Sequence, residues 1–228
     1  MSSKFEFFQF NTLVDMAYEE LKKDITLNVL KPGQRIIVRD LCNRYGISET
    51  PIKQALNRLL MEGLIESVPR RNMTVKRIRL RELDELLEIR YMIEIFYVDK
   101  VLETLKNNPV AKEKFIANLT EHEKVAENIE NINDYYKHFS LDRQFHQLYV
   151  ECSGNEKALD IYKKMETHIY MYYVYGKQTT TRIKEAVQEH KAIFDALMFF
   201  DKNLVLEMIK RHFNFAKQDI HALWEKTS

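Results

Sequence analysis

Three histidines and one aspartate stand where the periodicity of a helical core asks for apolar side chains. Over residues 133–152, Tyr135, Phe139, Asp142, His146 and Tyr149 share one stripe, and the four-residue step from Asp142 to His146 puts a carboxylate and an imidazole on one face. Over 181–200 the stripe is Ile183, Val187, His190, Phe194 and Leu197; over 202–225 it is Val205, Ile209, His212, Ala216 and Leu223. A polar group turned into a core needs a partner, because burying it without one costs stability. A single histidine of this kind is ordinarily a satisfied core residue. Asp142, His146, His190 and His212 together leave two readings open: they satisfy one another, or they share a divalent cation. Such a nitrogen-rich set with one carboxylate suits Zn²⁺, Ni²⁺, Mn²⁺ or Fe²⁺ and leaves coordination positions open, with zinc the ion expected in a purified sample.

A second anomaly lies on the stripe Leu83, Leu87, Arg90, Glu94, Tyr97, Val101. Arg90 and Glu94 either pair with each other or Arg90 points into the same cavity, where its forked donors would grip a carboxylate. His122 also falls on an apolar stripe, with Phe115, Leu119, Ala126 and Ile129; His221 reads as exposed, and His138 and His168 carry no assignment. The aromatic run Tyr170–Tyr175 has the spacing of core packing, with pocket lining as the alternative.

These residues need helices to position them. From Leu80 onward there is no strand signal, and about six helices are predicted near 80–106, 110–130, 133–152, 155–176, 181–200 and 202–225. Breaks fall at Asn107-Asn108-Pro109, at Ser153-Gly154-Asn155 and between Gly176 and Thr181. The first 79 residues read differently. An amphipathic helix over 12–29 stops at Lys31-Pro32-Gly33, and a short helix over 39–45 ends at Gly46. Ser48 then caps a helix that carries Pro51 in its first turn and runs to Gly63. Leu64–Val68 and Met73–Ile78 form a hairpin around Pro69-Arg70-Arg71-Asn72. Helix, helix, turn, helix, hairpin is the order of a winged helix-turn-helix. The expected architecture is therefore mostly α: a winged helix-turn-helix over 1–79 joined without a flexible linker to an all-α bundle over 80–228.

Charge supports that division. The 228-residue chain has a formal net charge of +1, yet residues 31–79 hold eleven Lys/Arg against four acidic residues, leaving this segment at +7 and the remainder at −6. A basic segment on an otherwise acidic protein suits a polyanionic partner for that segment alone. No stretch approaches the ~18 unbroken apolar residues of a spanning helix, and the N-terminus lacks the pattern of a secretory signal. Two cysteines far apart, Cys42 and Cys152, read as free thiols. A cytoplasmic protein without membrane association is expected.

The chain resembles the GntR family of bacterial regulators, in its FadR-like branch with an FCD effector domain, and the likeness spans nearly its whole length. It is carried by "KPGQRI", "LCNRYGISETPIKQALNRLLMEGLIE" and "VPRRNMTV" in the first part, and by "IRYMIE", "DRQFHQLYVECSGN", "VQEHKAIFDAL" and "MIKRHF" in the second. Six effector helices would make it similar to the VanR-type arrangement. The resemblance implies that Asp142, His146, His190 and His212 are metal ligands and that Arg90 contacts a small organic acid beside the metal. It also implies a homodimer on palindromic operator DNA, contacted by Arg39, Ser48, Glu49, Thr50, Lys53, Arg70 and Arg71. Glu49 and Lys53 stand where the family usually has arginine, which implies a divergent operator. The function that follows is a ligand-responsive transcription regulator, a repressor rather than an enzyme. The alternatives are a regulator in which the metal itself is the signal and, less favoured, a metal-dependent hydrolase.

Overall fold

The computed structural model describes residues 12–68, 72–77, 79–170 and 178–225, with the backbone alone at 68, 72, 132 and 166–170. It divides into two compact units: Met1–Ile25 with Val29–Arg77, and Thr26–Asn28 with Ile78–Ser228.

The first unit holds α1 (Leu13–Thr26), α2 (Val38–Tyr45), α3 (Glu49–Met61), β1 (Ile65–Val68) and β2 (Asn72–Val75). α1 ends three residues before the predicted limit, and Asn28 takes a φ of 56° just beyond it, a left-handed conformation that Asn tolerates better than most residues. α2 stops at Gly46, whose φ of 67° lets its N–H reach the Cys42 carbonyl. Ser48 supplies the extended N-cap backbone of α3 but no side-chain hydrogen bond to it. The strands pair antiparallel in the register Ile65 with Val75, and an isolated bridge joins Arg35 to Thr74. Leu21, Ile52, Leu56, Leu59, Leu64 and Val75 are buried at its centre, so α3 turns one apolar face inward and leaves the other free.

The second unit is built from α4 (Leu80–Phe96), α5 (Val98–Asn107), α6 (Pro109–Glu127), α7 (Ile132–Glu151), α8 (Glu156–Tyr170), α9 (Thr180–Phe199) and α10 (Lys202–Glu225). The described residues thus give seven helices, not six, which removes the helix count on which a VanR-type arrangement rested. The difference is the predicted 80–106 helix, which divides at Tyr97 (φ −94°, ψ 4°) with neither Gly nor Pro to mark the break. Elsewhere the boundaries have local causes. Asn108 accepts from the Ala111 N–H with Pro109 at the first helical position, and Thr179 accepts from the Arg182 N–H. α6 packs on α7 and α9, α9 on α10, and α4 on α8 and α10. Phe115 lies between Phe145 and Phe194, its ring centroid 5.3 and 5.6 Å from theirs, in a core that also buries Tyr149, Leu197 and Ile209.

Leu59 is fully buried in the first unit. Leu59→Ala is expected to destabilise that unit by about 2–5 kcal/mol through lost burial and a residual cavity, measurable as a lowered urea midpoint with an unchanged signal from the second unit.

Candidate metal centre

α7, α9 and α10 turn their polar stripe positions to one point. His146 and His190 are fully buried and His212 nearly so, and their donor atoms form a group lying within 4.8 Å of one another. His146 Nε2 is 3.2 Å from His190 Nε2 and 3.2 Å from His212 Nε2. Asp142 adjoins the group through His190, its Oδ1 being 3.3 Å from His190 Nε2.

Carboxylates behind the rings decide which nitrogens face inward. His146 Nδ1 meets Glu94 Oε2 at 3.2 Å, and His212 Nδ1 meets Glu189 Oε2 at 2.8 Å. Each Nδ1 therefore donates, and in the neutral imidazole that leaves Nε2 bare. Burial pushes His146 below the ordinary histidine value despite Glu94, and burial followed by the neighbouring imidazoles pushes His190 well below it. His146 Nε2 and His212 Nε2 face each other at 3.2 Å while both Nδ1 protons go to carboxylates, and His190 Nδ1 is buried without a hydrogen-bond partner among the described residues. A cation resolves this. Two imidazole nitrogens bound to one ion at about 2.1 Å stand roughly 3.0–3.4 Å apart, from an octahedral to a tetrahedral angle, so the donor set fits a divalent metal.

Glu94 is the hinge of a wider network. Its Oε1 accepts from the Tyr162 hydroxyl, which in turn accepts from Arg90 Nε at 2.9 Å; the Tyr149 hydroxyl donates to the Glu94 carbonyl at 3.1 Å. Burial works against the Glu94 carboxylate, but His146, Arg90 and Tyr162 outweigh it and hold its pKa below the usual value. Arg90 stands 3.9 Å from Glu94 and also lines a cavity of about 50 Å³, together with His138, Asp142, Arg182, His212 and Phe213.

Several participants lay outside the sequence reading. Glu189 and Arg182 (2.9 Å apart) back His212, and Tyr162 links Arg90 to Glu94; no stripe position marked them. His138 is buried and bonded to His122 at 2.7 Å, for which its four-residue step to Asp142 is the available signal. His221, expected exposed, is half-buried with Nε2 2.8 Å from Asp84. The His168 side chain and residues 171–175 of the aromatic run fall outside the described residues.

On the first unit, Ser48, Glu49, Thr50 and Lys53 are exposed along the start of α3, and Arg39 is exposed on α2. Lys53 Nζ is 2.6 Å from Glu49 Oε2, so the two residues that depart from the family pattern pair with each other. Arg70 and Arg71 lie outside the described residues.

The profile of the bacterial regulatory proteins, gntR family, matches residues 13–75, and that of the FCD domain matches residues 85–215. The HTH-type transcriptional regulator YdhC of Bacillus subtilis is 25% identical over 198 residues, 86% of each chain. McbR of Escherichia coli is 26% identical over 186 residues, 80% of this chain and 81% of its own. The solved structure of E. coli McbR/YncC shares the fold with a TM-score of 0.76 at 22% identity, over 95% of this chain and 99% of that one.

The buried imidazoles carry a cost in acid. Burial lowers His122 to about 4 and His138 to about 3, whereas in the unfolded chain both titrate near the ordinary histidine value of 6.5. Below pH 6.5 the unfolded state takes up protons that the folded state refuses. Stability of the metal-free protein is therefore complete above that pH and falls, by about 1 kcal/mol per pH unit per histidine, down to the folded-state values. Urea unfolding at pH 7.5 and 5.5 should show this loss; equal midpoints would contradict it.

Proposed function

The chain belongs to the gntR family of bacterial regulatory proteins with an FCD domain, and we propose that it is a ligand-responsive repressor that binds operator DNA as a homodimer and releases it when a small carboxylate occupies the cavity beside the metal centre. The observation that carries this reading is the placement of Arg90, Asp142 and His212 on one cavity wall, with His146 and His190 grouped against His212. A bound divalent ion would supply a Lewis-acidic anchor for a carboxylate oxygen. Asp142, His146, His190 and His212 would hold that ion, while Glu94 and Glu189 orient two of the rings from behind. Arg90 would grip the carboxylate with its forked donors.

The DNA contacts belong to the first unit. Thr50 and Lys53 on α3, Ser48 at its start and Arg39 on α2 present exposed polar groups where a reading helix enters the major groove, and Arg70 and Arg71 would extend the contact from the wing. Glu49 at the α3 N-terminus suits the helix dipole but opposes phosphate, and its ion pair occupies Lys53. Relatives and family are transcription regulators, not enzymes. The cluster itself favours one second reading, in which the metal is the signal and no organic ligand is required.

Purified, tag-free protein is expected to contain about one divalent ion per chain by elemental analysis, and the Asp142→Ala/His190→Ala variant none. Metal absent after reconstitution would sink the metal centre. DNA retardation with the chain's own upstream region then separates the two readings: response to organic acids with metal present supports the effector, and response to chelation alone supports the metal sensor. In the same assay Glu49→Ala should tighten binding several-fold, and Lys53→Ala should weaken it and make the salt dependence shallower by about one unit of slope.

A further inference from the structure

Two histidines outside the three-imidazole group are buried as deeply as its members. His122 on α6 is fully buried, His138 on α7 is 2% exposed, and His122 Nε2 lies 2.7 Å from His138 Nδ1. Only one proton can sit between them. His122 Nδ1 is buried with no hydrogen-bond partner among the described residues. A proton there would be an orphaned donor in the core, while a proton on Nε2 is used on His138. His122 therefore donates from Nε2 and His138 accepts at Nδ1, which places the remaining proton of His138 on Nε2. His138 lines the cavity shared by Arg90, Asp142 and His212. With Nδ1 taken by His122, Nε2–H is the ring donor that remains for a ligand in that space.

We propose that the His122–His138 pair selects the effector: His138 Nε2–H donates to a second oxygen of an acid whose carboxylate is held by Arg90, and His122 fixes the tautomer that makes this possible. This inference rests on the effector reading above. It narrows the ligand to small acids with a second oxygen acceptor, namely hydroxy, oxo or dicarboxylic acids. An alkyl monocarboxylate would bury the His138 N–H without a partner, a larger loss than a missing contact.

The test uses the zinc-loaded full chain and two matched pairs of probes, propionate against lactate and butyrate against succinate, followed by isothermal titration. The wild type is expected to favour the oxygen-rich member of at least one pair by about tenfold or more, and His138→Phe to bind both members alike. His122→Leu should lose most of the discrimination. His122→Gln, whose amide can donate where Nε2 does, should retain it, and this contrast decides the matter if His138→Phe does not fold. Discrimination that survives both His138→Phe and His122→Leu overturns the inference and leaves the effector reading standing. Zinc lost from His138→Phe would make the pair metal ligands and overturn it as well. If none of the four acids binds the wild type, the inference and the effector reading fall together. Discriminating binding that leaves DNA affinity unchanged upholds the inference and overturns only the regulatory reading.

Discussion

At the centre of the second unit, His190 Nε2 and His212 Nε2 both approach His146 Nε2 to 3.2 Å, in a volume where burial keeps His146 and His190 from charging. Uncharged imidazoles cannot all donate to one another, and the two carboxylates behind His146 and His212 claim the protons that could have been shared. The arrangement fits a cation, and the surrounding groups hold these rings in place. Glu94 must stay ionised in the core to hold His146, which requires Arg90 and the Tyr162 hydroxyl; Glu189 must stay beside His212, which requires Arg182.

That dependence ties the cavity to the centre. Arg90 touches both: its Nε donates to the hydroxyl that donates to Glu94, and its side chain forms part of the cavity wall. A ligand that drew Arg90 toward itself would change the field on Glu94 and so on the proton of His146; one arginine, one tyrosine and one glutamate connect the cavity to the imidazole group.

The first unit follows a simpler constraint. α3 buries Ile52, Ala55, Leu56 and Leu59 along one face, and this fixes Ser48, Thr50 and Lys53 on the exposed side. Its sequence departs from the family pattern at Glu49 and Lys53, and the structure makes these departures one feature: an exposed pair at i, i+4. Such a pair in water contributes little to stability. Its consequence lies in what Lys53 is free to contact.

Apolar periodicity, turn residues and charge together made most of this legible. They located the helices, separated a basic helix-and-hairpin segment from an all-α remainder, and exposed His146, His190 and His212 as polar intrusions on three stripes. Periodicity reports which face of a helix turns inward, so it finds residues that violate that face. It gave no sign of the division at Tyr97, where a single residue with ψ near 0° reorients the chain without Gly or Pro. Nor could it find Glu189, Arg182 and Tyr162, which act through partners 7 to 72 residues away. Proton placement lay equally out of reach, because the tautomers of His146, His212 and His122 depend on which carboxylate or ring stands behind each one. Sequence periodicity marked the imidazoles that interrupt three apolar stripes; tertiary structure decided which atoms meet, because hydrogen bonding is set by distances that a one-dimensional pattern does not contain.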